Sequence, residues 1–276
     1  MKLARYVHAG REAWGLIDVT ARTVAPVAGT ILDWGEAVTA GQSLDPVGAS
    51  VPLAGVRLLP PIGVSSVVAA VGLNYWSHLE ALGQTEPPAT TLGFLKPQIA
   101  LVGHDEEIRY PTITAQLDYE IELVAVVGRH VTGAGAPTEA LLGYTVGNDT
   151  SARDAKSPLG GPDLFSMKCN AGATPLGPWI TTKDEFGGAG QIDTGIALRV
   201  NGETRQQDRT SKMIWPVDEL LAYVVQRIPL TTGDVLFTGT PAGVGWEDGR
   251  FLEPGDVVES EVDGIGVIRN VVGPRP

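Results

Sequence analysis

Apolar positions along this chain come in short runs, and Gly and Pro cut between them at almost every turn. That pattern predicts a β-rich fold with few helices. Residues 1 to about 60 read as short strands around Gly10, Gly15 and Gly29. The turn cluster Leu59-Pro60-Pro61-Ile62-Gly63 then marks a boundary. It separates a small N-terminal β-rich module, residues 1–62, from a larger body, residues 63–276. In the body, residues 118–127 (DYEIELVAVV) alternate and then become continuously apolar, which predicts a strand entering the core. Residues 196–200 and 203–205, joined by Asn201-Gly202, predict a hairpin. Val217, Leu220, Leu221, Val224, Val225 and Ile228 recur at helical spacing and predict one amphipathic helix. Leu230-Thr-Thr-Gly-Asp-Val and Leu252-Glu-Pro-Gly-Asp-Val form a half-repeat, each a Gly-Asp turn launching a strand. Two copies are too few for a solenoid.

Composition narrows the function classes. The chain has 276 residues, 43% of them hydrophobic, which is enough to build a core. Its formal charge of −12 argues against nucleic acid as partner, though a local cationic or metal site can still hold a small anion. Cys169 is the single cysteine, so neither an internal disulfide nor a Cys-rich zinc site is available. The start of the chain lacks an apolar signal core, and no run approaches the roughly 18 apolar residues of a membrane span. The expectation is a cytoplasmic protein with no membrane partner.

Glu120 and Glu122 lie two apart on the expected strand, so both carboxylates share a face. One reading is a solvated face opposite Ile121 and Leu123. The other is a pair of oxygen ligands for a hard divalent cation, which needs a third acid. Asp149, in Gly147-Asn148-Asp149-Thr150-Ser151-Ala152-Arg153-Asp154, is the candidate, with an Asx turn or helix cap as its local alternative.

Several stretches, in order, carry a resemblance. They are Val71-Gly72-Leu73-Asn74-Tyr75 with His78, Phe94-Leu95-Lys96-Pro97, Asp118 to Leu123, Asn148 to Asp154, and Lys168 ahead of Pro175-Leu176-Gly177-Pro178-Trp179. Val200-Asn201-Gly202-Glu203, Met213-Ile214, and Gly233-Asp234 through Thr238 to Gly245 complete them. Over residues 68–272 or so, the sequence resembles the fumarylacetoacetate hydrolase family. The resemblance implies an α+β, β-rich fold, a mixed β-sheet roll or barrel after a small N-terminal domain, usually dimeric. It implies Mg²⁺ or Mn²⁺ held by Glu120, Glu122 and Asp149, and a small anionic 2-oxo or 2,4-diketo acid as substrate. Arg153 and Lys168 match positions that bind substrate oxygens, and Thr240 a position that touches one. Tyr75 and Lys156 fall among the substrate-binding positions, and His78 matches the lid histidine that activates water.

The pattern departs in places. Hydrolytic members commonly carry Glu three residues after the lid histidine, and here that position is Ala81. Glu80 lies ~200° around a regular helix from His78, so either the lid is not a regular helix there, or another carboxylate such as Glu86 substitutes, or His78 acts alone; His78 packed on Tyr75 and Leu79 with no proton role is the remaining reading. Lys156 stands where Gln is common, and residues 169–174 differ from the usual stretch. Cys169 beside Lys168 reads either as a lowered-pKa thiol or as inert packing. The leading expectation is a divalent-metal-dependent hydrolase cleaving a carbon–carbon bond of an acylpyruvate-type 2,4-diketo acid through a stabilised enolate. The alternative is a decarboxylase or keto–enol tautomerase of a 2-oxo acid such as oxaloacetate, and a third reading is a non-catalytic scaffold. Met213-Ile214-Trp215 and Trp246 are apolar candidates for a homodimer interface, or else they pack within one subunit.

Overall fold

In the computed structural model, which describes residues 1–133, 137–188 and 192–276, the chain adopts an α+β, β-rich fold. Its main sheet is mixed. From one edge the strands run Val51–Pro52, Thr23–Val27, Arg11–Asp18, Lys2–His8, Thr174–Thr182, Leu141–Asn148, Ile121–Val127, Val235–Phe237, Val68–Gly72 and Leu92–Lys96. Along this path every pairing is antiparallel except that of Val235–Phe237 with Val68–Gly72. The path ends in two free edges, so the roll is an open sheet and not a closed barrel. The N-terminal strands extend this sheet directly, because Lys2–His8 pairs with Thr174–Thr182 at Lys2↔Thr181 and Leu3↔Ile180.

A second sheet, ordered Glu203–Arg209, Gly195–Val200, Val257–Val262, Gly266–Val272 and Glu107–Ile108, packs on the first. Ile121–Val127 lies between two apolar layers. Leu123, Ala125 and Val127 join the second sheet's Ile196, Leu198 and Val258. Val124 and Val126 join Leu3, Trp14 and Trp34 on the other side. Burial on both faces is why this stretch reads as a continuous apolar run.

The helix Val217–Val225 buries the five predicted apolar positions up to Val225. It ends before Ile228, which still packs against the same cluster. The Asn201-Gly202 hairpin forms with both turn residues at positive φ, 52° and 79°, as a two-residue mirror-image turn requires. Both halves of the half-repeat make the same turn. Asp234 accepts from Thr231 N at 2.7 Å, and Asp256 from Glu253 N at 2.8 Å, each just ahead of a strand. The N-terminal region also holds a helix that the strand reading passed over, Ile31–Thr39, opened by a Thr30–Asp33 capping box.

A candidate metal centre beside a cavity

Ile121–Val127 and Leu141–Asn148 pair with Ile121 opposite Asn148 and Glu122 opposite Gly147. This register sets the residue before one strand beside the residue after the other: Asp149 N donates to Glu120 O at 2.8 Å, and Glu120 N to Asn148 Oδ1 at 2.9 Å. Carboxylate oxygens of Glu120, Glu122 and Asp149 come within 4.8 Å of one another, all three residues buried. That overturns the solvated-face reading. The predicted strand is also not continuous. Leu117–Asp118 pairs with Ser151–Ala152, the chain leaves the ladder at Tyr119 and Glu120, and Ile121 starts a new strand.

Three buried or nearly buried cations hold these acids. Lys168 Nζ donates to Glu120 at 2.6 Å and to Asp149 at 2.7 Å. Lys96 Nζ donates to the other oxygen of Asp149 at 2.5 Å and to the carbonyl of Lys168. Arg153 bridges Asp118 at 2.7 Å and Glu120 at 2.5 Å. Burial pushes the Glu120 carboxyl up, but Lys168 and Arg153 together outweigh it and hold the group below the usual carboxylate range. For Glu122 the balance reverses. Burial, then Asp149 and Glu120, push its carboxyl well above that range, and Lys168 offsets only part of this. Gly239 N donates to Glu122 at 2.7 Å. Gly239 sits at φ 92°, and a Cβ there would lie 2.8 Å from Asn74 Cβ, so the approach requires glycine. The donor set, three oxygens from carboxylates, suits a hard divalent cation.

A cavity of about 600 Å³ adjoins the centre, with His78, Arg153, Lys156, Met167 and Trp246 on its wall. His78 lies on the short helix Trp76–Ala81, and its Nδ1 is 3.2 Å from Glu247 Oε1. Glu80 and Glu86 are both exposed, and the carboxylate that meets His78 is Glu247, from the C-terminal part of the chain. Glu247 is fixed by Gly243 N, which donates to its second oxygen at 2.8 Å. It stands on the turn of helix Gly245–Asp248, whose first amides, Gly245 N and Trp246 N, donate to Asp118 at 2.6 and 3.1 Å. Asp118 holds Arg153, and Arg153 holds Glu120, so a single polar chain joins the His78–Glu247 pair to the acidic triad.

The remaining candidates divide. Lys156 is exposed at the cavity wall. Thr240 is buried and spends its hydroxyl internally, donating to Ile121 O and accepting from Gln206 Nε2, each at 2.8 Å. Tyr75 is fully buried, and its hydroxyl has no hydrogen-bond partner among the described residues. Burial, then Glu122 and Asp208, drive that phenol far up, so it stays protonated. Burial likewise pushes the Cys169 thiol up, against the reading of an activated thiol. Met213 is in the core and Trp215 packs on it, while Trp246 is half exposed at the cavity. Glu247, Lys96 and Asp118 are the site residues to which the sequence assigned no role. For Glu247 the available signal was an acid just past the Gly-rich stretch 238–245.

Comparison with known proteins adds the following. Residues 67–273 match the model described as fumarylacetoacetate (FAA) hydrolase, C-terminal, and residues 1–61 match Rv2993c-like, N-terminal. A solved structure of 5-carboxymethyl-2-hydroxymuconate delta-isomerase from Mycobacterium smegmatis is 33% identical, with TM-score 0.82 over 99% of this chain and 100% of that one. That of 2-hydroxyhepta-2,4-diene-1,7-dioate isomerase from Mycobacterium marinum is 33% identical, with TM-score 0.81 over 100% and 99%. Fumarylacetoacetate hydrolase from psychrophilic Exiguobacterium antarcticum is 31% identical, with TM-score 0.82 over 100% of both chains.

Proposed function

The chain belongs to the fumarylacetoacetate hydrolase family, and from that premise we propose that it is an isomerase of the keto–enol kind. It moves a proton, and with it a double bond, next to the ketone of a small 2-oxo or 2-hydroxy-dienoic acid. The observation that carries this reading is the His78–Glu247 pair on the wall of a cavity whose Arg153 also holds the acidic triad.

Glu120, Glu122 and Asp149 would hold a divalent cation, Mg²⁺ or Mn²⁺, which when bound acts as a Lewis acid on the ketone oxygen. The chain's own groups do the rest. A ring that donates Nδ1–H to Glu247 leaves Nε2 bare to accept a proton from the carbon beside the ketone. The electron pair left behind moves to the ketone oxygen, and the same Nε2 returns the proton at the far end of the conjugated system. Glu247 orients the ring and stabilises the imidazolium formed between the two transfers. Lys96 and Lys168 keep the triad's acids in place, while Arg153, on the cavity wall, holds Glu120 and can reach a bound anion. Such an isomerisation needs no attacking water, and two of the similar solved structures are isomerases.

A second reading, hydrolysis of an acylpyruvate-type carbon–carbon bond with His78 activating water, has the Exiguobacterium enzyme in its favour. The two separate in D₂O with Mg²⁺ and an unsaturated 2-hydroxy acid. Starting from the 2-hydroxy form, whose hydroxyl exchanges with solvent, isomerisation gives the 2-oxo acid with a shifted double bond and deuterium at the far carbon that receives the proton, both abolished by EDTA. Two shorter products formed in step with substrate loss would replace isomerisation by hydrolysis. As in the related enzymes' family, we propose a homodimer, which sedimentation checks.

A further inference from the structure

We propose that Lys156 selects substrates that carry a second carboxylate, at the end remote from the 2-oxo group. The inference rests on the functional reading above and names its substrate class more closely.

Three basic side chains face the cavity: His78, Arg153 and Lys156. Two are already engaged. His78 meets Glu247 at 3.2 Å, and Arg153 meets Asp118 and Glu120 at 2.7 and 2.5 Å. Lys156 has no ion pair among the described residues, because the acids of the centre are taken by Lys96, Arg153 and Lys168. The acids nearest to it in sequence are also occupied. Asp154 accepts from Ala115 N at 2.9 Å and from the Thr114 hydroxyl. Asp163 accepts from Phe165 N at 3.2 Å and Ser166 Oγ at 2.5 Å. Lys156 helps hold the Asp154 carboxyl low at a distance but makes no ion pair among the described residues, so it is the basic residue of this cavity whose ammonium stays open to a ligand.

Its placement suits the remote end of a ligand. The backbone of Lys156 bridges to Pro162, and the loop between them is closed by Ser157 N to Gly161 O at 3.1 Å and Gly160 N to Ser157 O at 2.9 Å. The backbone of Lys156 is thus fixed at the cavity wall while the residue as a whole stays exposed. Leu82, Ala155, Met167 and Trp246 add apolar surface to the same cavity. A ligand that matches this lining has an anionic head at the triad, a hydrocarbon middle and an anionic tail. Lysine suits such a tail as a compact charge with three donors. Because the group is exposed, the expected preference is modest, roughly tenfold, which converts to about 1.4 kcal/mol.

Binding measured by calorimetry with Mg²⁺ present tests this, using 2-oxoadipate against 2-oxohexanoate, which differ in the terminal carboxylate alone. Pairs one carbon shorter and longer cover the reach of the side chain. The wild type is expected to favour the diacid roughly tenfold at its best length, with the margin shrinking as salt rises. Lys156→Gln should bring the ratio close to one while the monoacid binds as before, and Lys156→Arg should keep the preference. Equal binding of the pair at every length, or a preference that survives in Lys156→Gln, overturns the assignment. Failure of both acids to bind the wild type would instead overturn the functional reading beneath it.

Discussion

Two residues decide how the centre behaves. Glu247 carries the proton-transfer reading, and it can be altered without emptying its place: in Glu247→Gln the amide still accepts from Gly243 N. The charge that steadies an imidazolium is lost, and an amide N–H turned to Nδ1 would favour the wrong tautomer. We expect kcat to fall about 10²–10⁴-fold with KM and Mg²⁺ affinity nearly unchanged, from steady-state kinetics and calorimetry. Loss of metal affinity in step with kcat would make Glu247 a structural support of the triad. Glu122 governs the response to pH. Its raised carboxyl holds a proton more tightly in the folded state than in the unfolded one, so it favours folding at low pH and costs stability as pH rises through its raised value. A cation must displace that proton. Mg²⁺ affinity should therefore climb as pH rises through that raised value, with proton release that buffers of different ionisation enthalpy will reveal. Glu122→Gln should bind less tightly and lose most of that slope; a slope intact in the variant would assign the proton elsewhere.

At the scale of elements, spacing made some features legible and hid others. Val217–Val225 followed from its apolar spacing, and the Gly202 hairpin from its Asn-Gly pair, because each signal is local. Helix Ile31–Thr39 was hidden by Gly35 within it and by its nine-residue length; only Thr30 and Asp33, three apart, announced it. The break at Tyr119 and Glu120 left no trace in the alternation. Asp118 is drawn aside by the amides of Gly245 and Trp246, which lie 127 and 128 residues on. The triad was legible because two of its members share one strand region and the third follows the paired strand. The partner of His78 was not, since 169 residues separate it from Glu247. Lys96 stood in a recognised stretch, yet nothing in the pattern told a buried cation from a surface one.

The molecule as a whole behaves as one sheet-built unit more than as two modules in series. Leu3, Trp14 and Trp34 share an apolar cluster with Val68, Val124, Ile180 and Phe237. Removing the N-terminal strands would leave Thr174–Thr182 without its neighbour on one side and strip that cluster of its cover. A boundary near residue 62 is thus a boundary of sequence across which the sheet continues. Calorimetry should show a single cooperative transition for the full chain, moved upward by Mg²⁺. A separate early melt of a size fitting about 60 residues would show that the two parts fold independently.

The pairing of Leu3 with Ile180 has a consequence for synthesis. Lys2–His8 is synthesised well before its partner, because the strand it must lie against is made almost two hundred residues later. At about 5–20 residues per second that is on the order of 10–40 s. During that interval the N-terminal hairpin carries an open edge, Trp14 and Leu3 lack the partners that cover them, and the nascent chain depends on chaperones or on its own early turns to stay out of aggregates.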